Sequence, residues 1–161
     1  MKTKSAKAKG RRLAQTVQVN LLEACPDLSQ DDVRVTPSGV QGPDIQLSPA
    51  AQKRFPYAIE CKNVESLCFS SAWRQAVSHS EQTGLLPLLV ACSNRAKPLC
   101  VIRSGNAVEW LCVPEHRSLT DSYGKRCPFR AIPKGRVALF SRIGEWFAAF
   151  PIDLFIREFV R

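Results

Sequence analysis

Tyr57-Ala58-Ile59-Glu60-Cys61-Lys62, preceded by Gly42-Pro43-Asp44, is the stretch on which the reading of this chain turns. Successive side chains of a strand point to opposite faces, so Ala58, Glu60 and Lys62 share one side and Tyr57, Ile59 and Cys61 the other. One face is charged and the other apolar. Asp44 opens a second short alternating run, with Asp44 and Gln46 on one side and Ile45 and Leu47 on the other. Ser48-Pro49-Ala50-Ala51 supplies turn chemistry after it. Paired as a hairpin, the two runs bring two carboxylates and an amine together.

Such a trio suits phosphodiester hydrolysis. Two hard carboxylate oxygens hold Mg²⁺ or Mn²⁺, which keeps waters in its remaining positions and polarises a phosphate. A nearby ammonium can hold the attacking water or steady the charge that develops on phosphorus. Asp44 and Glu60 are the candidate ligands, and Lys62 is the candidate for the water. Glu60 and Lys62 alone read more readily as a surface ion pair worth about 0.5 kcal/mol, so the wider context decides.

That context is Gly39-Val40-Gln41-Gly42-Pro43-Asp44, Leu47-Ser48-Pro49-Ala50-Ala51, Phe55-Pro56-Tyr57, Ile59-Glu60-Cys61-Lys62-Asn63 and Trp73-Arg74-Gln75-Ala76. Together these segments resemble the PD-(D/E)xK nuclease superfamily, in particular phage-type members of its Holliday-junction resolvase-like branch. The resemblance runs over residues 9–103. It implies an α/β fold, a mixed central sheet flanked by helices in a restriction-endonuclease-like core. It also implies that Asp44 and Glu60 bind metal, that the Cys61 main-chain carbonyl completes the coordination, that Lys62 serves the water, and that Gln75 supports the catalytic set from the next helix. Relatives usually carry a metal-proximal Glu on the first helix, shortly after a Lys-Gly-Arg-like start. Here Lys9-Gly10-Arg11-Arg12-Leu13 is followed by Ala14 and Gln15, and Glu23 lies well along the helix. Gln15 or Gln18 could hydrogen-bond a metal-bound water without adding charge, which leaves one metal or two open.

A formal charge of +9 in 161 residues favours polyanionic partners. Lys2, Lys4, Lys7, Lys9, Arg11 and Arg12 all precede the first acidic residue, Glu23. They read as a flexible basic arm over residues 1–12 that runs into a helix, with Lys7, Lys9, Arg11 and Arg12 as nucleic-acid contacts. Tyr123-Gly124-Lys125-Arg126-Cys127-Pro128-Phe129-Arg130 reads as an exposed loop. Its Lys125 and Arg126 could touch DNA backbone, or the loop could be a solvated connector.

Seven cysteines, an odd number with no secretory signal, argue for reduced thiols in a cytoplasmic setting, a bacterial cell or a phage-infected host. Cys112, His116 and Cys127 lack paired-ligand spacing and a fourth ligand, which disfavours structural zinc. No apolar run is long enough to span a membrane.

Leu13, Val17, Leu21 and Ala24 recur at helical spacing before Cys25-Pro26-Asp27, and strands follow near residues 33–36, 44–47 and 57–62. A helix carrying Trp73 and Gln75, capped by Ser70 or Ser71, ends near Gly84. Strands at residues 85–92 and 99–103 complete a core over residues 13–103. His79 could approach phosphate or substrate, but a lone histidine on the polar side of a helix is more often solvated, so it stays outside the catalytic set. Residues 104–161 form an extension whose aromatic tail, divided by Pro151, packs on the core or forms a dimer surface.

The expected function is a Mg²⁺- or Mn²⁺-dependent, structure-specific DNA endonuclease acting on branched DNA as a homodimer, a Holliday-junction resolvase. The alternatives are a flap, nick or duplex nuclease in repair or restriction, and a non-catalytic DNA-binding module with a decayed nuclease site.

Overall fold

The computed structural model describes residues 2–93, 96–103, 117–118, 138–142 and 144–160. The chain opens with α1 (Lys2–Ala24), then β1 (Val33–Val35), β2 (Ile45–Leu47), α2 (Pro49–Arg54), β3 (Tyr57–Asn63), α3 (Phe69–Thr83), β4 (Leu86–Cys92) and β5 (Leu99–Arg103). After β6 (Arg117–Ser118) come β7 (Ala138–Arg142), β8 (Glu145–Pro151) and α4 (Ile152–Phe159). Among the described residues the strands form one mixed sheet in the order β1-β2-β3-β4-β5-β8-β7-β6. β3 and β4 are parallel, as are β6 and β7, and the other neighbours are antiparallel. This is an α/β fold with a restriction-endonuclease-like core.

Strand alternation sorts the core into two layers. Tyr57, Ile59, Leu88, Val90, Cys100, Ile102, Ala148 and Phe150 face the side covered by α1 and α4, where Leu13, Val17, Leu21 and Phe155 meet them. Leu89, Val101, Phe147 and Ala149 face the other side, against Ala72 and Trp73 of α3. β4 is buried on both faces, which is why Leu86-Pro87-Leu88-Leu89-Val90-Ala91-Cys92 reads as a continuous apolar run. α3 ends at Gly84, whose φ of 70° places it in the left-handed region that closes helices, and its N–H donates to Ser80 O.

Several boundaries differ from the sequence expectation. Residues 2–12, expected as a flexible arm, are the first turns of α1. Lysine, alanine and arginine are strong helix formers, so the charge that suggested an arm also supports a helix. Ser48-Pro49-Ala50-Ala51 starts a helix instead of a plain turn. Ser48 is the N-cap, its Oγ accepts from Ala51 N–H at 3.2 Å, and Pro49 occupies the first helical position. Ser70 and Ser71 lie inside α3, which starts after Cys68 without a side-chain cap. At the C-terminal end, β8 lies between β5 and β7, and Phe147 and Phe150 of β8 and Ile152 and Phe155 of α4 are buried in the core. Pro151 is the junction of β8 and α4.

Candidate active site

β3 sets the geometry. Glu60 and Lys62 are two residues apart and so share its α3-facing side, about 6.6 Å apart along the strand. α3 connects two parallel neighbours, so it runs antiparallel to β3. Its residues Gln75 and His79 are one turn apart, about 6 Å along the axis. The two spacings match. Lys62 Nζ donates to Gln75 Oε1 at 2.8 Å, and His79 Nδ1 lies 3.0 Å from Glu60 Oε2. Lys62 Nζ also contacts Glu60 Oε1 at 2.5 Å.

Asp44 enters from the start of β2. Ile45 is the register partner of Ile59, and Asp44 N–H also donates to Ile59 O at 2.8 Å, so two residues oppose one as in a β-bulge. Pro43 has no N–H with which to extend the ladder, and its carbonyl is taken by Thr36 Oγ1 at 2.6 Å. The next β3 donor, Cys61 N–H, bonds the Asp44 carboxylate instead, at 2.7 Å to Oδ2. Within a strand the N–H and C=O of one residue point the same way, so the Cys61 carbonyl faces this same edge, where Pro43 brings it no donor.

Glu60 is only 1% exposed. Burial, then the neighbouring Asp44 charge, raises its pKa, while Lys62 and His79 act in the opposite direction. Its Oε2 is buried without a hydrogen-bond partner, and so is His79 Nδ1, because their 3.0 Å approach lacks hydrogen-bond alignment. A buried carboxylate oxygen without a donor beside a second carboxylate suits a cation. Two carboxylates and a main-chain carbonyl are hard oxygen donors, as Mg²⁺ and Mn²⁺ prefer. The Cys61 thiol is a poor candidate, since burial pushes its pKa well up and its side chain packs in the apolar layer. Among the described residues no group of three or more His, Cys, Asp or Glu side chains is arranged to hold a metal.

These groups open into a cleft of about 430 Å³ that also takes in the β1–β2 loop and one stripe of α1: Lys7, Gly10, Arg11 and Ala14. Positions i, i+3, i+4 and i+7 share a helix face. Asp44, Glu60, Cys61, Lys62 and Gln75 are therefore brought together with Lys7 and Arg11. Arg12 is not, and borders a separate shallow groove with Gln15, Thr16, Val19 and Asn20. Lys9 is half-buried and is not part of the cleft wall. Gln15 faces the other groove and Gln18 Nε2 donates to Val33 O at 2.6 Å, so neither fills the place of a helix-one carboxylate. Ala14 occupies the cleft-facing position. Lys125, Arg126, Cys112, His116 and Cys127 lie outside the described residues.

His79, expected from the sequence to be solvated, is instead largely buried against Glu60. The available signal was its spacing of four from Gln75, which puts both on one face of α3.

A mixed sheet flanked by helices, with Asp, Glu and Lys converging at the strand that follows a Pro-Asp turn, is the core arrangement of the PD-(D/E)xK nucleases. The family described as "Phage putative PDDEXK endonuclease" matches residues 14–120, more than half of the chain, and the chain belongs to that family. No match was found among curated proteins or among solved structures.

Proposed function

We propose that the chain is a divalent-metal-dependent DNA endonuclease that cuts one strand per protomer, with branched DNA as its substrate and a homodimeric Holliday-junction resolvase as the working form. The observation that carries the nuclease reading is the convergence of Asp44, Glu60 and Lys62 in a cleft that the cationic stripe of α1 also lines. Lys7 and Arg11 attract the phosphate backbone and hold it against the strand edge. Lys62, kept in place by Gln75, orients the attacking water toward phosphorus, and its charge stabilises the transition state. A divalent cation bound by Asp44, Glu60 and the Cys61 carbonyl would supply Lewis-acid polarisation of the phosphate and ease deprotonation of water. The Pro-Asp, Glu-Cys-Lys and Gln-Ala elements support the resolvase branch, and paired incisions at a four-way junction call for two copies of the site.

Ala14 in place of an acidic residue on the cleft face of α1 favours a second reading, a DNA-binding module with a decayed site. Cleavage of labelled four-way junction, flap, nicked duplex and linear duplex in Mg²⁺ or Mn²⁺ separates the readings. Paired nicking of the junction, lost in Glu60→Ala and Lys62→Ala, is the expected result. Better cutting of another substrate would keep the chemistry and replace the role, and binding without cleavage in either metal would favour the decayed module.

A further inference from the structure

His79 lies outside the Asp-Glu-Lys set, yet it is the side chain that α3 sets against the catalytic glutamate. It is 12% exposed, and its Nδ1 stands 3.0 Å from Glu60 Oε2. One helical turn earlier, Gln75 grips Lys62. Each residue of the α3 pair thus addresses one residue of the β3 pair, in the reverse order that an antiparallel helix requires. Glu60 is flanked at both oxygens, by the Lys62 ion pair at Oε1 and by the His79 ring packed against Oε2 without a hydrogen bond.

We infer that His79 is a positioning residue that fixes the plane of the Glu60 carboxylate toward Asp44, and so sets the affinity of the site for a divalent cation. This rests on the metal-dependent reading above. A carboxylate free to rotate about its last torsion presents its lone pairs in many directions, and a largely buried imidazole beside one oxygen restricts that choice. Partners that orient a ligand in this way typically change metal affinity by about 10- to 100-fold when removed.

The test is Mn²⁺ binding by calorimetry to the full chain, with thermal melting as the fold control. His79→Ala is expected to weaken binding about 10-fold while leaving the protein folded. His79→Asn, whose amide nitrogen can take the place of Nδ1, is expected to recover most of the affinity, and His79→Leu, which fills the space without a polar atom, to stay weak. Wild-type affinity in both His79→Ala and His79→Leu would overturn the inference, as would recovery by Leu but not Asn. Wild-type protein that binds no Mn²⁺ up to millimolar concentration would instead overturn the metal reading itself, and this inference with it. Binding that Glu60→Ala abolishes and His79→Ala leaves unchanged would remove the positioning role alone.

Discussion

Ile59 and Glu60 are consecutive in β3 and almost equally buried, 0% and 1% exposed, but they belong to different machinery. Ile59 faces α1 and α4 among apolar side chains. Glu60 faces α3 among Lys62, His79 and Gln75, at the edge of a cleft lined by Asp44. Burial therefore does not separate core from site in this protein. The partners do, because an apolar residue is stabilised by leaving water whereas a buried carboxylate costs stability unless charges compensate it.

The contrast breaks most sharply by removing Glu60. Glu60→Ala is expected to lower the cleavage rate by about 10³-fold, comparable to deleting a main electrostatic contributor in other enzymes. Its melting temperature should not fall below that of wild type, and a large fall would place Glu60 with the structural residues. Next is the apolar layer. Phe155 packs edge-on against Phe55, Tyr57 and Phe150. Phe155→Ala should cost about 3–5 kcal/mol in denaturant unfolding, with cleavage per folded molecule preserved well below the melting point. A loss of activity without a loss of stability would show that the two layers are not separable.

Much of this division was legible in the residues. Alternation placed Glu60 and Lys62 on one side of β3 and Tyr57, Ile59 and Cys61 on the other, and the apolar run at 85–92 marked β4. The approach of His79 to Glu60 was not, because it depends on α3 docking antiparallel to β3, a tertiary fact with no local signature. Lys7 and Arg11 were indistinguishable from Lys9 and Arg12 while residues 1–12 read as an arm, since only a helix gives those positions separate faces. Pro43 stood in the sequence, but its effect of leaving Cys61 N–H to the Asp44 carboxylate required the strand register.

That separation of helix faces gives a smaller effect. Replacing both Lys7 and Arg11 by alanine should make the salt dependence of DNA binding shallower by about 2 in log–log slope, whereas Arg12→Ala should change it much less. Equal effects would contradict the assignment of the cleft wall to one stripe of α1. The smallest effect concerns stability and pH. The Glu60 pKa is raised above its ordinary 4.5 in the folded state, so the folded protein keeps a proton that the unfolded chain releases. Stability is unpenalised below pH 4.5 and is lost as pH rises through the raised value. With metal removed by chelator, Glu60→Gln should match wild type near pH 4 and melt a few degrees higher near pH 7. A lower melting temperature at pH 7 would show that the Lys62 and His79 contacts outweigh the cost of burial.

The most direct test of the account is anomalous diffraction from a crystal soaked in Mn²⁺. One peak is expected, bounded by the Asp44 and Glu60 carboxylates and the Cys61 carbonyl, in the cleft that Lys7 and Arg11 also line. A peak elsewhere, or none at this position with the carboxylates ordered, would contradict the assignment of the polar face of β3 as a metal-dependent nuclease site.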